Sequence, residues 1–351
     1  MTVTGADAAT AATETAALYP RLRYMGSKYR LLPHLARAFQ DVGGTTALDA
    51  FSGSGVVSHL LKRQGFEVTA NDLLEFPGTI ARATTVNQGT RLSDADIERI
   101  VGPAADDRRF ILDTYSGIFY NRQDLSFLDS AWSHIAQMGG AKRDLALSAL
   151  ILSAARKQPR GVFTISGDLS HYNDGRRDLT LTMREHFGER VAEYNSVVFE
   201  GPKARVTTCE SNDIDPGPYD VVYLDPPYAP PTDDNDYTKR FHFLEGLSRY
   251  WSGDDLMWNT KTRKLPKRPT KYSSKRTIVE AFRETFARFA DSEAVVLSYG
   301  SNALPDRDTI AGLLRETRTE VEVREVPHTY HYGTHRTANR RAVTEYIFIA
   351  R

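Results

Sequence analysis

Residues 46–51 (TALDAF) form a short apolar run that stops at Ser52-Gly53-Ser54-Gly55, and a second run, 66–70, stops at Asn71-Asp72. Between them Val57, Leu60 and Leu61 have helical spacing, and Gly65 stands where that helix would end. Strand, glycine turn, helix, strand is the opening unit of a parallel sheet covered by helices, so the expected fold class is α/β. Strand-like runs return at 219–224 (YDVVYL), 294–299 (AVVLSY), 320–326 (EVEVREV) and 343–350 (VTEYIFIA). The sheet is therefore expected to draw on both ends of the chain. A further helix is expected over 31–40, after the turn at Gly26-Ser27.

The stretch 85–200 differs in character. Helical spacing is found at 93–101, 127–138 and 142–157, and the loops carry Arg, Asn, Tyr and Gly, as in Tyr120-Asn121-Arg122 and in residues 172–177. It reads as a separate, mostly helical insertion between the two halves of the sheet. Residues 1–18 are rich in Ala and Thr and read as a flexible tail; they have neither the basic start nor the apolar run of a secretory signal. The expected organisation is thus a tail at 1–18, a sheet domain from 19–84 and 201–351, and an insertion at 85–200. No run approaches 18 apolar residues, so no membrane-spanning helix is expected. The single cysteine, Cys209, excludes an intramolecular disulfide and a thiolate metal cluster, which fits a cytoplasmic setting.

Formal net charge is zero, but the charge is unevenly spread. Residues 261–276 (KTRKLPKRPTKYSSKR) hold eight Lys or Arg and no acid, and residues 21–37 hold Arg21, Arg23, Lys28, Arg30 and Arg37, again with no acid. Such runs are either solvated faces or footprints of a polyanion.

The sharpest local feature is Asp225-Pro226-Pro227-Tyr228, directly after YDVVYL. An aromatic amine is a poor nucleophile because its lone pair is delocalised into the ring. A carboxylate accepting one N–H and a rigid backbone carbonyl accepting the other would draw it towards a tetrahedral, reactive geometry. An aromatic side chain beside them could stack on an extruded base. Two prolines after a strand are equally a plain stop signal.

The second feature is Asp49-Ala50-Phe51-Ser52-Gly53-Ser54-Gly55, with Asp72 at the end of the next strand. Glycines there let a ligand approach the backbone, and the acid could accept ribose hydroxyls. The layout also suits a dinucleotide, but Ser58 stands where the third glycine of that fingerprint belongs. The third feature is Tyr24-Met25-Gly26-Ser27-Lys28. Its lysine could hold a cofactor carboxylate, or be a basic turn; the order Gly-Ser-Lys is not that of a phosphate loop.

Together, and in this linear order, the three features resemble the Dam-type (alpha-class) DNA adenine-N6 methyltransferases. The resemblance covers residues 20–75 and 205–350. It implies a Rossmann-like class I methyltransferase sheet with a helical target-recognition insertion, and S-adenosylmethionine as cofactor. It implies that Asp225, Pro226, Pro227 and Tyr228 act on a flipped adenine in double-stranded DNA. It implies that Tyr24, Lys28, Asp49, Phe51, Ser52, Gly53, Ser54, Gly55, Asp72, Asp213 and Asp225 line the cofactor site. The segment Glu210-Ser211-Asn212-Asp213 is similar to the family element that contacts the cofactor adenine. Tyr237-Thr238 and Ser298-Tyr299 are similar to weaker family elements. The protein is expected to be a monomer near the nucleoid, with a cognate restriction endonuclease as a candidate partner. Phage modification and housekeeping methylation are alternatives to restriction–modification.

DNA as substrate gives the basic runs a use. The loop 258–278 is expected to contact DNA through Lys267, Arg268, Lys271 and Lys275. Arg122, Arg160, Arg176 and Arg177 in the insertion are candidates for reading bases or phosphates; surface ion pairing is the alternative for each. Tyr120 and Tyr172 either stack on bases or pack in the core. His328, His331 and His335 lack supporting Cys or carboxylates at ligand spacing, so no metal site is expected. Rival readings are an RNA or protein-glutamine N-methyltransferase, and a catalytically silent DNA-binding relative.

Overall fold

The computed structural model describes residues 7–24, 26–159, 161–165, 174–228, 236–331 and 340–351, with the side chains of 328–331 and 340–342 outside the description. The chain opens with helices α1 (Ala8–Leu18) and α2 (Leu32–Val42), then strand β1 (Thr46–Asp49), α3 (Val56–Arg63) and β2 (Glu67–Asp72). Eight helical segments follow. They are α4 (Glu75–Ala81), a π-helical turn (Arg82–Val86), α5 (Asp94–Val101), α6 (Phe110–Tyr115), α7 (Arg122–Ile135), α8 (Gly140–Lys157), α9 (Arg177–Thr180) and α10 (Met183–Val197). The chain then forms β3 (Ala204–Thr208), β4 (Val221–Leu224), α11 (Tyr237–Arg249), α12 (Ile278–Arg288), β5 (Ala294–Gly300), α13 (Arg307–Arg315), β6 (Val321–His331) and β7 (Arg340–Ala350).

The seven strands form one sheet in the order β3-β2-β1-β4-β5-β7-β6. The first five are parallel and β7 runs antiparallel between β5 and β6. This is the Rossmann-like sheet that the resemblance implied. Strand order reverses at the β1–β4 boundary, and there the loops leaving the carboxyl ends diverge and open a crevice. The central strands are mostly apolar, as burial on both faces requires: β4 and β5 are buried at every residue. One face is covered by α1, α2 and α3, the other by α12 and α13 with their phenylalanines and leucines.

Strand β3 escaped sequence reading. ARVTT lies at the sheet edge with its residues half-buried or exposed, so it lacks the apolar run that marks the central strands. The long helix α10 was missed as well, because polar residues interrupt its buried positions Phe187, Val191 and Tyr194. The helical region is also not a body apart. Ile111, Leu128, Leu150 and Phe187 from it share one core with Phe76 and Ile80 of α4 and with Phe241, Leu244 and Leu247 of α11. The insertion therefore grips the helices that carry the crevice walls.

The flexible tail expected at 1–18 is overturned over residues 8–18. These form α1, with Ala8, Ala11, Ala12 and Thr15 buried against the α2 and α3 face. Its apolar stripe is built from alanine, too small to stand out as hydrophobic periodicity, yet its backbone can come close to its neighbours. Residues 1–6 lie outside the described residues. No helix among the described residues is long and apolar enough to cross a membrane.

Candidate active site

The carboxyl end of β1 delivers Asp49, whose register partner on β4 is Tyr223. The chain then turns through residues 50–55, pinned by three backbone bonds: Ala50 N–H to Tyr223 O (3.0 Å), Ser52 N–H to Asn71 O (2.8 Å) and Gly55 N–H to Ser52 O (2.7 Å). Asp72, at the end of β2, accepts the Gly53 N–H at Oδ2 (2.9 Å) and the Leu74 N–H at Oδ1 (3.0 Å). Gly53 has φ +50°, and a Cβ there would stand 2.8 Å from the Tyr24 ring. A side chain at 53 would thus both strain the backbone and displace the aromatic wall.

Tyr24 forms that wall by stacking on Phe241 (centroids 5.0 Å apart, 7° between planes), with Tyr237 at 5.5 Å. Lys28 is buried. Its Nζ lies 2.7 Å from Asp225 Oδ1, donates to Gly26 O (2.7 Å) and reaches the Tyr228 hydroxyl (3.5 Å). Asp225 follows directly on β4. Its Oδ1 also accepts from Ser298 Oγ (3.4 Å) on β5, and Ser298 is bonded in turn to the buried Tyr223 hydroxyl (2.8 Å). Burial pushes the Asp225 carboxyl up to about 6, with the Lys28 ammonium pulling the other way. Tyr228 donates to Glu345 Oε2 (3.1 Å) on β7 and meets Tyr299 edge-on (4.7 Å between centroids). Gly300 leaves room for the ring, since a Cβ there would be 3.2 Å from it.

These groups surround one cavity of about 340 Å³. Of the fourteen residues expected at the cofactor and catalytic positions, Tyr24, Lys28, Asp49, Phe51, Ser52, Gly53, Ser54, Asp72, Asp225, Pro226, Pro227 and Tyr228 line it. Two do not. Gly55 lies behind the loop against the Tyr19 hydroxyl. Asp213 is exposed: Ser211–Asp213 forms a single 3-10 turn that buries Ser211, so the cavity wall is made by Glu210 and Ser211 instead. Lys28, expected at a cofactor carboxylate, has Asp225 as its ion-pair partner.

Sequence reasoning missed Asn302, Thr270, Tyr272 and Ser273, which also line the cavity. Tyr272 is buried and meets Phe51 edge-on (5.4 Å). Part of the basic segment is therefore cavity wall, and an aromatic residue inside a charged run was the available signal. Arg268 lines the cavity too, with Glu245 Oε1 at 3.6 Å, and Lys271 is held by Glu284 (2.5 Å). Lys267 and Lys275 are exposed.

In the helical region Arg122 is exposed at the start of α7, Arg176 pairs with Asp174 (2.8 Å), and Arg177 pairs with Glu189. Tyr120 is core, its hydroxyl donating to Ala154 O (2.6 Å). Arg160, Tyr172 and His335, and the side chains of His328 and His331, lie outside the described residues. Among the described residues no group of three or more His, Cys, Asp or Glu is arranged to hold a metal.

Three buried polar atoms on the cavity wall, Asp49 Oδ1, Ser52 Oγ and Asn302 Oδ1, have no hydrogen-bond partner among the described residues. Buried polar atoms without partners are costly, so a polar ligand is the natural complement. Asp49 is pushed up to about 7 by burial, which the Ser58 hydroxyl at Oδ2 (2.6 Å) only partly offsets; a cationic amine beside it would relieve that cost.

Residues 24–120, which carry the aromatic wall, Lys28, the glycine loop and Asp72, match the family profile of the D12 class N6 adenine-specific DNA methyltransferases. Over these residues the chain is similar to the D12 class methyltransferases. Similarity runs well beyond the matched residues. The type II methyltransferase M2.HphI of Haemophilus parahaemolyticus is 26% identical over 349 residues, covering 94% of this chain and 97% of that protein. The modification methylases LlaI of Lactococcus lactis subsp. lactis and StsI of Streptococcus sanguinis are 22% and 21% identical. They are longer, and the aligned part takes up 48% and 51% of their lengths. The alignment with M2.HphI is long enough to include the second half of the sheet, from β3 to β7.

Proposed function

We propose that this chain is a site-specific DNA methyltransferase that moves a methyl group from S-adenosylmethionine to N6 of an adenine extruded from duplex DNA. The observation that carries the reading is the meeting of the glycine loop, the orphaned Asp49 oxygen and the Lys28–Asp225 pair on one cavity wall at the sheet's switch point. S-adenosylmethionine supplies an electrophilic sulfonium methyl when bound. Asp49 receives its ammonium group, Asp72 its ribose hydroxyls, and Tyr24 and Phe51 bracket it with apolar surface.

Asp225 then accepts one N6–H of the adenine and the Pro226 carbonyl the other, which localises the lone pair on nitrogen. Lys28 keeps Asp225 ionised in a desolvated site. Ser298, backed by Tyr223, fixes the carboxylate's rotation. Tyr228 stacks on the base, with its ring held by Glu345. After transfer the nitrogen carries a surplus proton, and a carboxylate titrating near 6 is matched to take it at Oδ. Holding both reactants supplies a large part of the rate. The helical region is the source of sequence recognition, and the likeness to modification methylases supports a restriction–modification setting, with a cognate endonuclease as partner in a cytoplasmic, nucleoid-bound role.

The deciding experiment is methylation of an unmethylated plasmid by the purified chain, with modified bases mapped at single-base resolution. N6-methyladenine within one recurrent sequence is expected, and Asp225→Ala abolishes it while thermal melting is retained. Methylation of RNA or of a glutamine peptide with the plasmid untouched overturns the reading.

A further inference from the structure

Trp258 is 57% exposed, whereas the chain's other two tryptophans, Trp132 and Trp251, are 4% and 5% exposed. It sits at the tip of a tight excursion between α11 and α12 that is far from loose. Met257 N–H donates to Lys264 O (2.8 Å), Thr260 N–H to Met257 O (2.9 Å), Arg263 N–H to Thr260 O (3.2 Å) and Lys264 N–H to Thr260 Oγ1 (3.0 Å). Leu265 anchors its base in the helical core, and the Tyr115 hydroxyl of α6 holds the Arg263 carbonyl (3.2 Å).

Arg263 adopts φ +48°, a conformation that non-glycine residues rarely take. It thereby donates to the Trp258 carbonyl and lays its guanidinium 5.4 Å from the indole centroid. A strained residue thus holds a large aromatic ring in water beside Lys261, Arg263 and Lys264, at the start of the chain's most basic segment. Rigid presentation of an exposed indole among cations has no use for folding. It suits a polyanion that also offers flat π surfaces.

We infer that Trp258 is an aromatic contact of the DNA surface, stacking on an unstacked base of the bound duplex while Lys261 and Lys264 neutralise flanking phosphates. This rests on the proposed function for its substrate. It adds a contact outside the catalytic cavity, on a loop that continues into the cavity wall at Arg268 and Tyr272.

The test is a titration of the full chain, with S-adenosylhomocysteine present, by an end-labelled linear duplex cut from the methylated plasmid. Anisotropy reports binding and tryptophan emission reports the indole. Wild-type emission is expected to change on saturation, since Trp258 is the exposed fluorophore. Trp258→Leu is expected to bind about tenfold more weakly with an unchanged salt slope, and Trp258→Phe within about threefold of wild type. Both variants are expected to bind heparin, which has charge but no bases, as the wild type does. Equal duplex affinity of wild type and Trp258→Leu overturns the inference alone, as does wild-type emission unmoved at saturation. A wild type that binds cofactor by calorimetry but not the duplex overturns this inference and the proposed function together.

Discussion

Lys28 Nζ lies 2.7 Å from Asp225 Oδ1, although the two residues are separated by more than half of the chain. Burial raises the Asp225 carboxyl to about 6, and the ammonium is the chief influence holding it there. An acceptor must be ionised, so single-turnover methylation is expected to fall as pH drops through 6. In Lys28→Ala the carboxyl loses its cation, its pKa rises further, and the acid limb of the profile moves towards neutral pH. At pH 7 the rate falls about tenfold or more. Lys28→Arg restores part of the shift. An acid limb that stays in place in Lys28→Ala, at whatever absolute rate, excludes this role.

Asp49 yields a prediction about binding rather than chemistry. Its carboxyl is pushed up to about 7 by burial, and its Oδ1 has no partner among the described residues. Because the folded value lies above the ordinary 3.8, ionising Asp49 in the free protein costs stability. The stability of the protonated state is fully present below about pH 4 and is lost as pH rises through 7. A cofactor ammonium favours the ionised form, so affinity for S-adenosylmethionine is expected to weaken below pH 7, approaching tenfold per pH unit. Asp49→Asn should bind about ten- to a hundredfold more weakly and lose the pH dependence. Calorimetry in buffers of different ionisation heat measures both the affinity and the proton released.

Legibility in the sequence followed burial. TALDAF, YDVVYL and AVVLSY occupy central strands covered on both faces, and apolar runs announced them. The edge strand β3 is half in water, and its alternation was too weak to read. The glycine-loop wall of the cavity was legible because glycines and acids at strand ends have few other uses. Asn302, Thr270 and Tyr272 reach the same cavity from loops after β5 and before α12, and no spacing rule connects them with residue 53. The Lys28–Asp225 pair was hidden for the same reason: each residue was readable alone, and only folding brings them together.

Part of the basic segment lines the cavity, which changes the salt dependence expected of DNA binding. Engagement of about six of its cations gives a log–log slope near −5. Arg268 faces Glu245, and Lys271 is held by Glu284, so these two must leave acids before they meet phosphates. Replacing Lys267, Arg268, Lys271 and Lys275 by Ala is therefore expected to flatten the slope by less than the ~3.6 that four free cations would contribute. Conversely, Glu284→Gln releases Lys271 and should tighten duplex binding a few-fold at low salt, with the gain lost at high salt. Filter binding across a salt series distinguishes these outcomes, and an unchanged slope in the fourfold variant removes the segment from the DNA surface.

Helix α1 supplies the last test, because it reverses what composition suggests. Ala8, Ala11 and Ala12 are fully or almost fully buried, and Thr15 is fully buried, beside His59 of α3. Arg63 of α3 also pairs with Glu14. Removing residues 1–18 would expose the apolar surfaces of α2 and α3 that this helix covers, and would leave Tyr19, which supports Gly55 and bonds Ser54 O (3.0 Å), at a frayed terminus. At about 25 cal/mol per Å² of apolar surface re-exposed, the loss is on the order of a few kcal/mol. The truncated chain is expected to melt several degrees lower and to bind S-adenosylmethionine more weakly, because Tyr19 underpins the glycine loop. A disposable tail would leave both quantities where they were, and differential scanning calorimetry with and without the cofactor reads the two effects in one experiment.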